Sequence, residues 1–367
     1  HLIFVVKIKN NMRVCILGGN LSSLTLAKAL VNQKIFVDVF GNFKSSSLNQ
    51  TRTLGISKSN VDFFNKNIIN INKFIWKIKR IEILSDKLKN EKLINFDASS
   101  EYLFSIVSNH KLYNILKTSL EKNKYFKNKN LKFKKDFLDV YDLVINTDYS
   151  SSITKKYFSK NIVKKYNSFA FTTIINHENV LNNTATQIFT KNGPLAFLPI
   201  SKNKTSIVYS AHNYRNKKNE NIKELIQKNS LKYNIKKIEK ISFVELKAAN
   251  LRSYYHKNIL AFGDLLHKIH PLAGQGFNMT IRDIKNLILI INNKIALGLP
   301  LDYSVNSEFE KKFNDKNFIF SNGIDLIHEF FNFERKTKNH FMSKTVHLLG
   351  QNSKLNNIFA KIADEGF

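Results

Sequence analysis

Apolar runs and helical spacing alternate along the chain in a readable order. "RVCILGG" (Arg13 to Gly19) has the composition of a buried strand, and "LSSLTLAKALVNQ" repeats Leu24, Ala27, Leu30 and Val31 at helical spacing. "KIFVDVF" (Lys34 to Phe40) is a second strand, so strand, turn, helix and strand fall within about 30 residues and predict a βαβ unit. Two later apolar runs, "DLVIN" (Asp142 to Asn146) and "NILAFGD" (Asn258 to Asp264), are expected to join the same parallel sheet. Between them the texture changes. "SFAFTTIIN" (168–176), "ATQIF" (185–189), "LAFLPI" (195–200), "TSIVYSA" (205–211) and "ISFVELKAA" (241–249) are short strands without intervening helices, which predicts an antiparallel sheet. After Gly276 the pattern is helical to Phe367, interrupted at Pro300. The phenylalanine-rich "KNFIFSNGIDLIHEFFNF" in that tail is expected to be packed core or an apolar interface. The basic stretch 121–135 is expected to be a solvated strand or loop.

Composition narrows the class. At 367 residues, 43% of them apolar, the chain can bury a real core and suggests two domains or one with a large insertion. The formal charge of +30 invites a polyanion partner, yet only seven of the 58 basic residues are arginine. Base readout leans on the guanidinium fork, so this lysine excess reads as a solvated surface and no nucleic-acid partner is expected. The single cysteine, Cys15, rules out a disulfide framework within the chain, and the sequence reads as intracellular. No apolar run reaches the roughly 18 residues of a membrane span. Residues 1–11, ahead of Met12 and without a signal-peptide pattern, are read as an upstream extension.

Two glycine-bearing turns carry the candidate chemistry. The first, "GGNLSS" (Gly18, Gly19, Asn20, Leu21, Ser22, Ser23), sits where a βα turn brings N–H groups and a helix N-terminus to a pyrophosphate. The spacing G-x-G-x-x-G falls on Gly18, Asn20 and Ser23. Asn20 is expected to serve through its tolerance of positive φ, and Ser23 through small size. No acid stands at the end of the second strand, where Phe40-Gly41-Asn42 occurs. The second turn, "GDLLHKIHPLAGQGFNM" (263–279), concentrates three glycines and a proline in a chain with 12 and 4 of them. His267 and His270 form HxxH beside Asp264, but Pro271 breaks the helix that would align them and no HExxH exists, so no metal is expected. There is no G-x-S-x-G nucleophile elbow either.

The second turn resembles that of the flavin-dependent aromatic hydroxylases, in the branch that acts on polyprenylated rings in ubiquinone biosynthesis. The matching residues are Gly263, Asp264, His270, Pro271, Ala273, Gly274, Gln275, Gly276 and Asn278, followed by Asp283, with Phe277 inside the run. The resemblance implies FAD as cofactor, with Asp264 on its ribityl chain and the glycine-rich turn and helix N-terminus against pyrophosphate and flavin. "QIFTKNGPLAFLPI" (187–200) resembles the family's strand pair on the substrate side, which implies Pro194, Leu195, Phe197 and Pro199 there. "TRTLGISKSNVDFFNKNIINI" (51–71) resembles the segment whose arginine, here Arg52, touches FAD. The family's Ala-Asp-Gly appears as Thr147-Asp148-Tyr149, so a glycine is lost.

The resemblance implies an α/β fold of the glutathione-reductase type: a Rossmann-like FAD-binding domain in pieces (12–75, 100–165, 250–300), an inserted antiparallel-sheet substrate domain (76–99, 166–249) and a helical C-terminal region (301–367). It implies a monooxygenase that uses O2 and an electron donor to hydroxylate a polyprenyl phenol or quinol intermediate. The flavin carries that chemistry, so no side chain is assigned as catalytic. A soluble phenol as substrate, or a non-catalytic scaffold in a biosynthetic complex, are the alternatives. The implied location is cytoplasmic, with peripheral contact to the inner face of the cell membrane.

Overall fold

The computed structural model describes residues 12–43, 50–85, 91–98, 101–129, 140–212, 221–230, 232–268 and 275–337. The chain opens with β1 (Arg13–Leu17), α1 (Leu21–Asn32), β2 (Phe36–Phe40), β3 (Thr53–Ser57) and α2 (Lys58–Asn67). There follow β4 (Ile75–Ile78), β5 (Arg80–Ser85), β6 (Glu91–Asp97), β7 (Phe104–Ser108), α3 (Asn109–Glu121), β8 (Phe126–Lys129), β9 (Leu143–Asn146) and α4 (Ser152–Tyr157). The middle carries β10 (Asn161–His177), β11 (Thr184–Thr190), β12 (Gly193–Ser201), β13 (Lys204–His212), α5 (Ile222–Asn229), β14 (Ile235–Ile238) and β15 (Ser242–Leu251). It ends with β16 (Tyr255–His256), β17 (Ile259–Ala261), β18 (His267–Lys268), α6 (Gln275–Ala296) and α7 (Tyr303–Thr337).

These strands form three sheets. The first runs β16-β17-β9-β1-β2-β8, parallel except for the β16–β17 pair. Its central strands β1, β9 and β17 read as largely apolar runs because both faces are covered. Val14, Cys15, Ile16, Val144 and Ile145 are fully buried together with Leu24 and Leu30 of α1, Leu112 of α3 and Ile284 of α6. The second sheet runs β18-β15-β10-β13-β12-β11-β5-β6, with β14 paired to β10. Only one of its pairings, β11 with β5, is parallel. The third is the antiparallel trio β3-β7-β4.

The expected strands are present with shifted ends. The largest difference is β10, expected from Ser168 but beginning at Asn161, because its first residues pair with the end of β15 before a bulge between Lys165 and Ser168. That early half is too lysine-rich to read as a strand, and its partner Ala249–Leu251 supplies the pairing that sequence pattern does not reveal. Part of the basic stretch 121–135 is the edge strand β8, parallel to β2. Of the phenylalanine-rich segment 316–333, Phe320 is buried and Phe318 and Ile319 are exposed, while the side chains from 324 on lie outside the described residues; Phe309, earlier in α7, is buried. Phe309 packs 6.0 Å from Phe262, which fixes the start of α7 against the strand leading to Gly263. Among the described residues, no helix is long and apolar enough to cross a membrane.

Cys15 lies at the centre of the parallel sheet, opposite Asp38 of β2. Burial, and then the charge of Asp38, push its thiol far above the ordinary range. A disulfide-exchange reagent at pH 8 is therefore expected to leave the folded chain unlabelled and to modify one thiol per chain after unfolding in denaturant. Rapid labelling of the native protein would contradict this placement.

Candidate functional site

The two candidate turns meet at the C-terminal edge of the parallel sheet. Gly18 leaves β1, and its N–H donates to Phe40 O at the end of β2. Phe262, after β17, donates its N–H to Asn146 O at the end of β9. The contact itself is between Gly263 and Ser22. A Cβ on Gly263 would stand 2.8 Å from Ser22 Cβ, and the residue's φ is +65°, so only glycine is accommodated without strain. Asp264 follows in a single 3-10 turn (Gly263–Leu265) and is exposed, next in the chain to the glycine that meets α1. Strand ends, a helix N-terminus and an acid thus share one rim.

The first turn is held by its own side chains. Asn20 caps α1: its Oδ1 accepts from Ser23 N at 2.9 Å, and its Nδ2 donates to Thr147 O at 3.0 Å. Ser23 Oγ lies 2.6 Å from Thr147 Oγ1, which donates to Leu17 O at 2.9 Å. Tyr113 of α3 donates its hydroxyl to Gly19 O at 2.9 Å. The expected reason for Asn20 needs correcting. Its φ is −86°, and the positive φ in the turn belongs to Gly18 at +117°. Asn20 is there as a cap, the role for which asparagine is among the best residues. Ser23 is fully buried as expected, and its hydroxyl, rather than its size alone, joins it to Thr147.

The missing acid after β2 has a steric cause. A Cβ on Gly41 would fall 2.5 Å from Gly19 N and 2.6 Å from Gly18 C, so the strand end packs directly on the first turn. Asn42 is the first side chain available there, and it is exposed and neutral. The one acid in β2, Asp38, is buried and engaged elsewhere. It accepts from Tyr141 OH at 2.7 Å and pairs with Lys129 Nζ at 2.6 Å. The lost glycine at Tyr149 causes no strain, because that residue is not among those with positive φ. Asp148 instead closes a local turn by accepting from Ser150 N and Oγ at 2.8 and 2.7 Å.

Pro271, Ala273 and Gly274, with His270, lie outside the described residues; the helix they lead into is described. Gln275 opens α6 with a buried Oε1 that has no hydrogen-bond partner among the described residues. Phe277 packs 6.5 Å from Phe64 of α2, and Gly276 lies in the first turn of α6. Asn278, expected to face the cofactor, spends its side chain on the protein. Its Oδ1 accepts from Ser57 N and Asn60 Nδ2, each at 3.0 Å, and its Nδ2 donates to Gly55 O at 3.0 Å. This clamp joins α6 to β3 and α2. His267, the first half of HxxH, is buried with its Nε2 2.5 Å from Asp283 Oδ2, and Asn317 donates to Asp283 Oδ1 at 3.2 Å.

Arg52 is exposed at the start of β3, and its carbonyl accepts from Asn109 N at 3.1 Å. Its neighbour Thr53 donates to Ser206 Oγ of β13 at 2.9 Å, which shows the face of the large sheet turned towards β3. The substrate-side expectation is corrected by that facing. Leu195 and Phe197 point the other way, into a core with Ile222 and Ile226 of α5. Leu198 and Ile200 pack with Trp76 and Phe104 of the three-stranded sheet, so the alternation of β12 puts Ala196 and Leu198 on the inward face. Pro194 and Pro199 are buried in the same strand.

Sequence reasoning missed Gly41 and Tyr113. Glycine poverty was the available signal for Gly41, and nothing in the spacing pointed to Tyr113, 94 residues from its partner.

Residues 159–296 match the family profile described as FAD binding domain. Over 159 residues the chain is 31% identical to the 3-demethoxyubiquinol 3-hydroxylase of Escherichia coli (strain K12), covering 41% of this chain and 40% of that protein. It is 25% identical over 228 residues to the ubiquinone biosynthesis monooxygenase COQ6 of Danio rerio, covering 50% and 47%. The chain thus spans less than half the length of these curated relatives. Its fold is similar to that of p-nitrophenol 4-monooxygenase PnpA from Pseudomonas putida DLL-E4, with a TM-score of 0.76 at 12% identity over 96% of this chain and 98% of that one.

Asn278→Ala strips hydrogen bonds from Ser57 N and Gly55 O in a closed site. It is expected to cost about 2–4 kcal/mol in denaturant unfolding. A change below about 0.5 kcal/mol would show that the clamp is not formed.

Proposed function

We propose that this chain, matched to the FAD binding domain over 159–296 and folded like p-nitrophenol 4-monooxygenase, is an FAD-dependent monooxygenase that hydroxylates an aromatic ring in ubiquinone biosynthesis. The observation that carries the reading is the close approach of Gly263, which the exposed Asp264 follows, to Ser22 in the first turn of α1. The residues present fit the cofactor. A helix end offers N–H groups to a pyrophosphate, an exposed carboxylate can accept from the ribityl hydroxyls, and the buried Gln275 Oε1, without a partner among the described residues, can accept a donor from a ligand. When bound, reduced FAD supplies the electrons that activate O2, so that one oxygen enters the ring and the other leaves as water.

The protein's part in this reading is positional. Asp264 holds the ribityl chain, α1 faces the diphosphate, and the Asn278 clamp keeps α6 and β3 in register. The inward face of β12 and β13, with Ala196, Leu198 and Ser206, forms a largely apolar wall that would hold the ring and exclude water. The relative named a 3-demethoxyubiquinol 3-hydroxylase supports a quinol-type ring as substrate, and on this reading the substrate is a polyprenyl phenol or quinol and the electrons come from an external donor. A substrate of that kind partitions into lipid, so the same reading puts the chain at a membrane surface, where its +30 charge favours anionic headgroups.

The test begins with the visible spectrum of the purified protein and titration of the stripped protein with FAD. Rebinding is expected, and Asp264→Ala is expected to weaken it by about 10- to 100-fold through loss of a charge-assisted hydrogen bond. Oxygen-dependent hydroxylation of a polyprenyl phenol by the loaded protein is the further expected result. Failure of the wild-type chain to rebind FAD would overturn the reading.

A further inference from the structure

The turn at the α1 N-terminus is closed by a side chain that does what an anion would do there. Asn20 Oδ1 takes the Ser23 N–H at 2.9 Å while the other end of the same amide is tied to Thr147 O at 3.0 Å. Leu24 N already bonds Asn20 O, so among the described residues the helix-end donors left for a ligand are Leu21 N and Ser22 N. From this we infer that Asn20 is a built-in competitor for the cofactor's diphosphate: its amide must rotate away before a phosphate oxygen can take the third donor. The inference rests on the FAD reading above and concerns how tightly that site holds its ligand.

Three features of the turn make the exchange feasible. Asn20 is only half-buried, so its amide has solvent to rotate into. The turn does not depend on it for closure, because Ser23 Oγ, Thr147 Oγ1 and Leu17 O form a second chain of bonds and Tyr113 holds Gly19 O. A charged oxygen also makes a stronger bond to Ser23 N–H than a neutral amide does, so a diphosphate can win the position at the cost of the amide's bonds to Ser23 N, Ser23 Oγ and Thr147 O. The resulting device lowers affinity for the diphosphate half of the ligand and leaves the flavin half untouched.

The test is a fluorescence titration of the stripped full-length protein with FAD and, separately, with riboflavin, which lacks phosphate. Asn20→Gly removes the competing oxygen. Replacing a capping asparagine by glycine costs only a few tenths of a kcal/mol in stability, so folding is preserved. It is expected to tighten FAD about tenfold, the worth of one recovered charge-assisted hydrogen bond, and to leave riboflavin unchanged. Asn20→Asp keeps the cap but sets a negative charge against the diphosphate, and is expected to weaken FAD about tenfold or more. Unchanged or weaker FAD binding by Asn20→Gly would overturn the inference, as would an equal gain for riboflavin. If wild type binds FAD and Asp264→Ala weakens it while Asn20→Gly has no effect, the competitor falls and the FAD reading stands. If neither wild type nor Asn20→Gly binds FAD, both fall.

Discussion

Everything at this site depends on two close approaches, the Gly263 backbone on the Ser22 side chain and the Gly41 backbone on that of Gly18 and Gly19. These contacts hold the ends of β1, β2 and β17 together at one edge of the parallel sheet. A Cβ at either glycine would occupy space already filled by main chain or by a buried serine, so neither approach survives a larger residue. The rim that results puts an exposed acid next in the chain to a glycine that meets the first turn of a helix. It also explains where a glycine-poor chain keeps its glycines.

Around that rim, polar side chains are used up in joining elements. Asn20 ties α1 to Thr147, Asn278 ties α6 to β3 and α2, and Asp283 ties α6 to His267 and to Asn317 of α7. Each is a buried or half-buried group whose hydrogen bonds must be met, and each is met by a residue distant in sequence. The result is a set of clamps that fix the helix ends and strand ends at the rim. Rigid supports of this kind allow a site to bind by position, with few side chains reaching the ligand themselves.

The two faces of β12 divide the work of the large sheet. Leu195 and Phe197 build a core with α5, while Ala196 and Leu198 face the three-stranded sheet and the start of β3. A strand buried on both sides reads as one apolar run, and nothing in "GPLAFLPI" distinguishes the face that holds helix from the face that looks towards a ligand. Direction came from the Thr53 to Ser206 contact, which joins residues 153 apart in the chain.

The chain's own pattern determined the βαβ start, the change from parallel to antiparallel strands, and the two glycine turns, because period and turn chemistry are local properties. It also made Gly263 and Asp264 conspicuous, through scarcity of glycine elsewhere. Tertiary structure decided the rest. It made Asn20 a helix cap in place of a positive-φ residue, turned Asn278 inward on the protein, extended β10 to Asn161, and moved the inward-facing positions from Leu195 and Phe197 to Ala196 and Leu198. In each case the deciding partner, whether Thr147, Gly55, Leu251 or Ile226, is remote in the chain. A side chain's preference is written locally, but which of its possible partners it meets depends on where the fold places them.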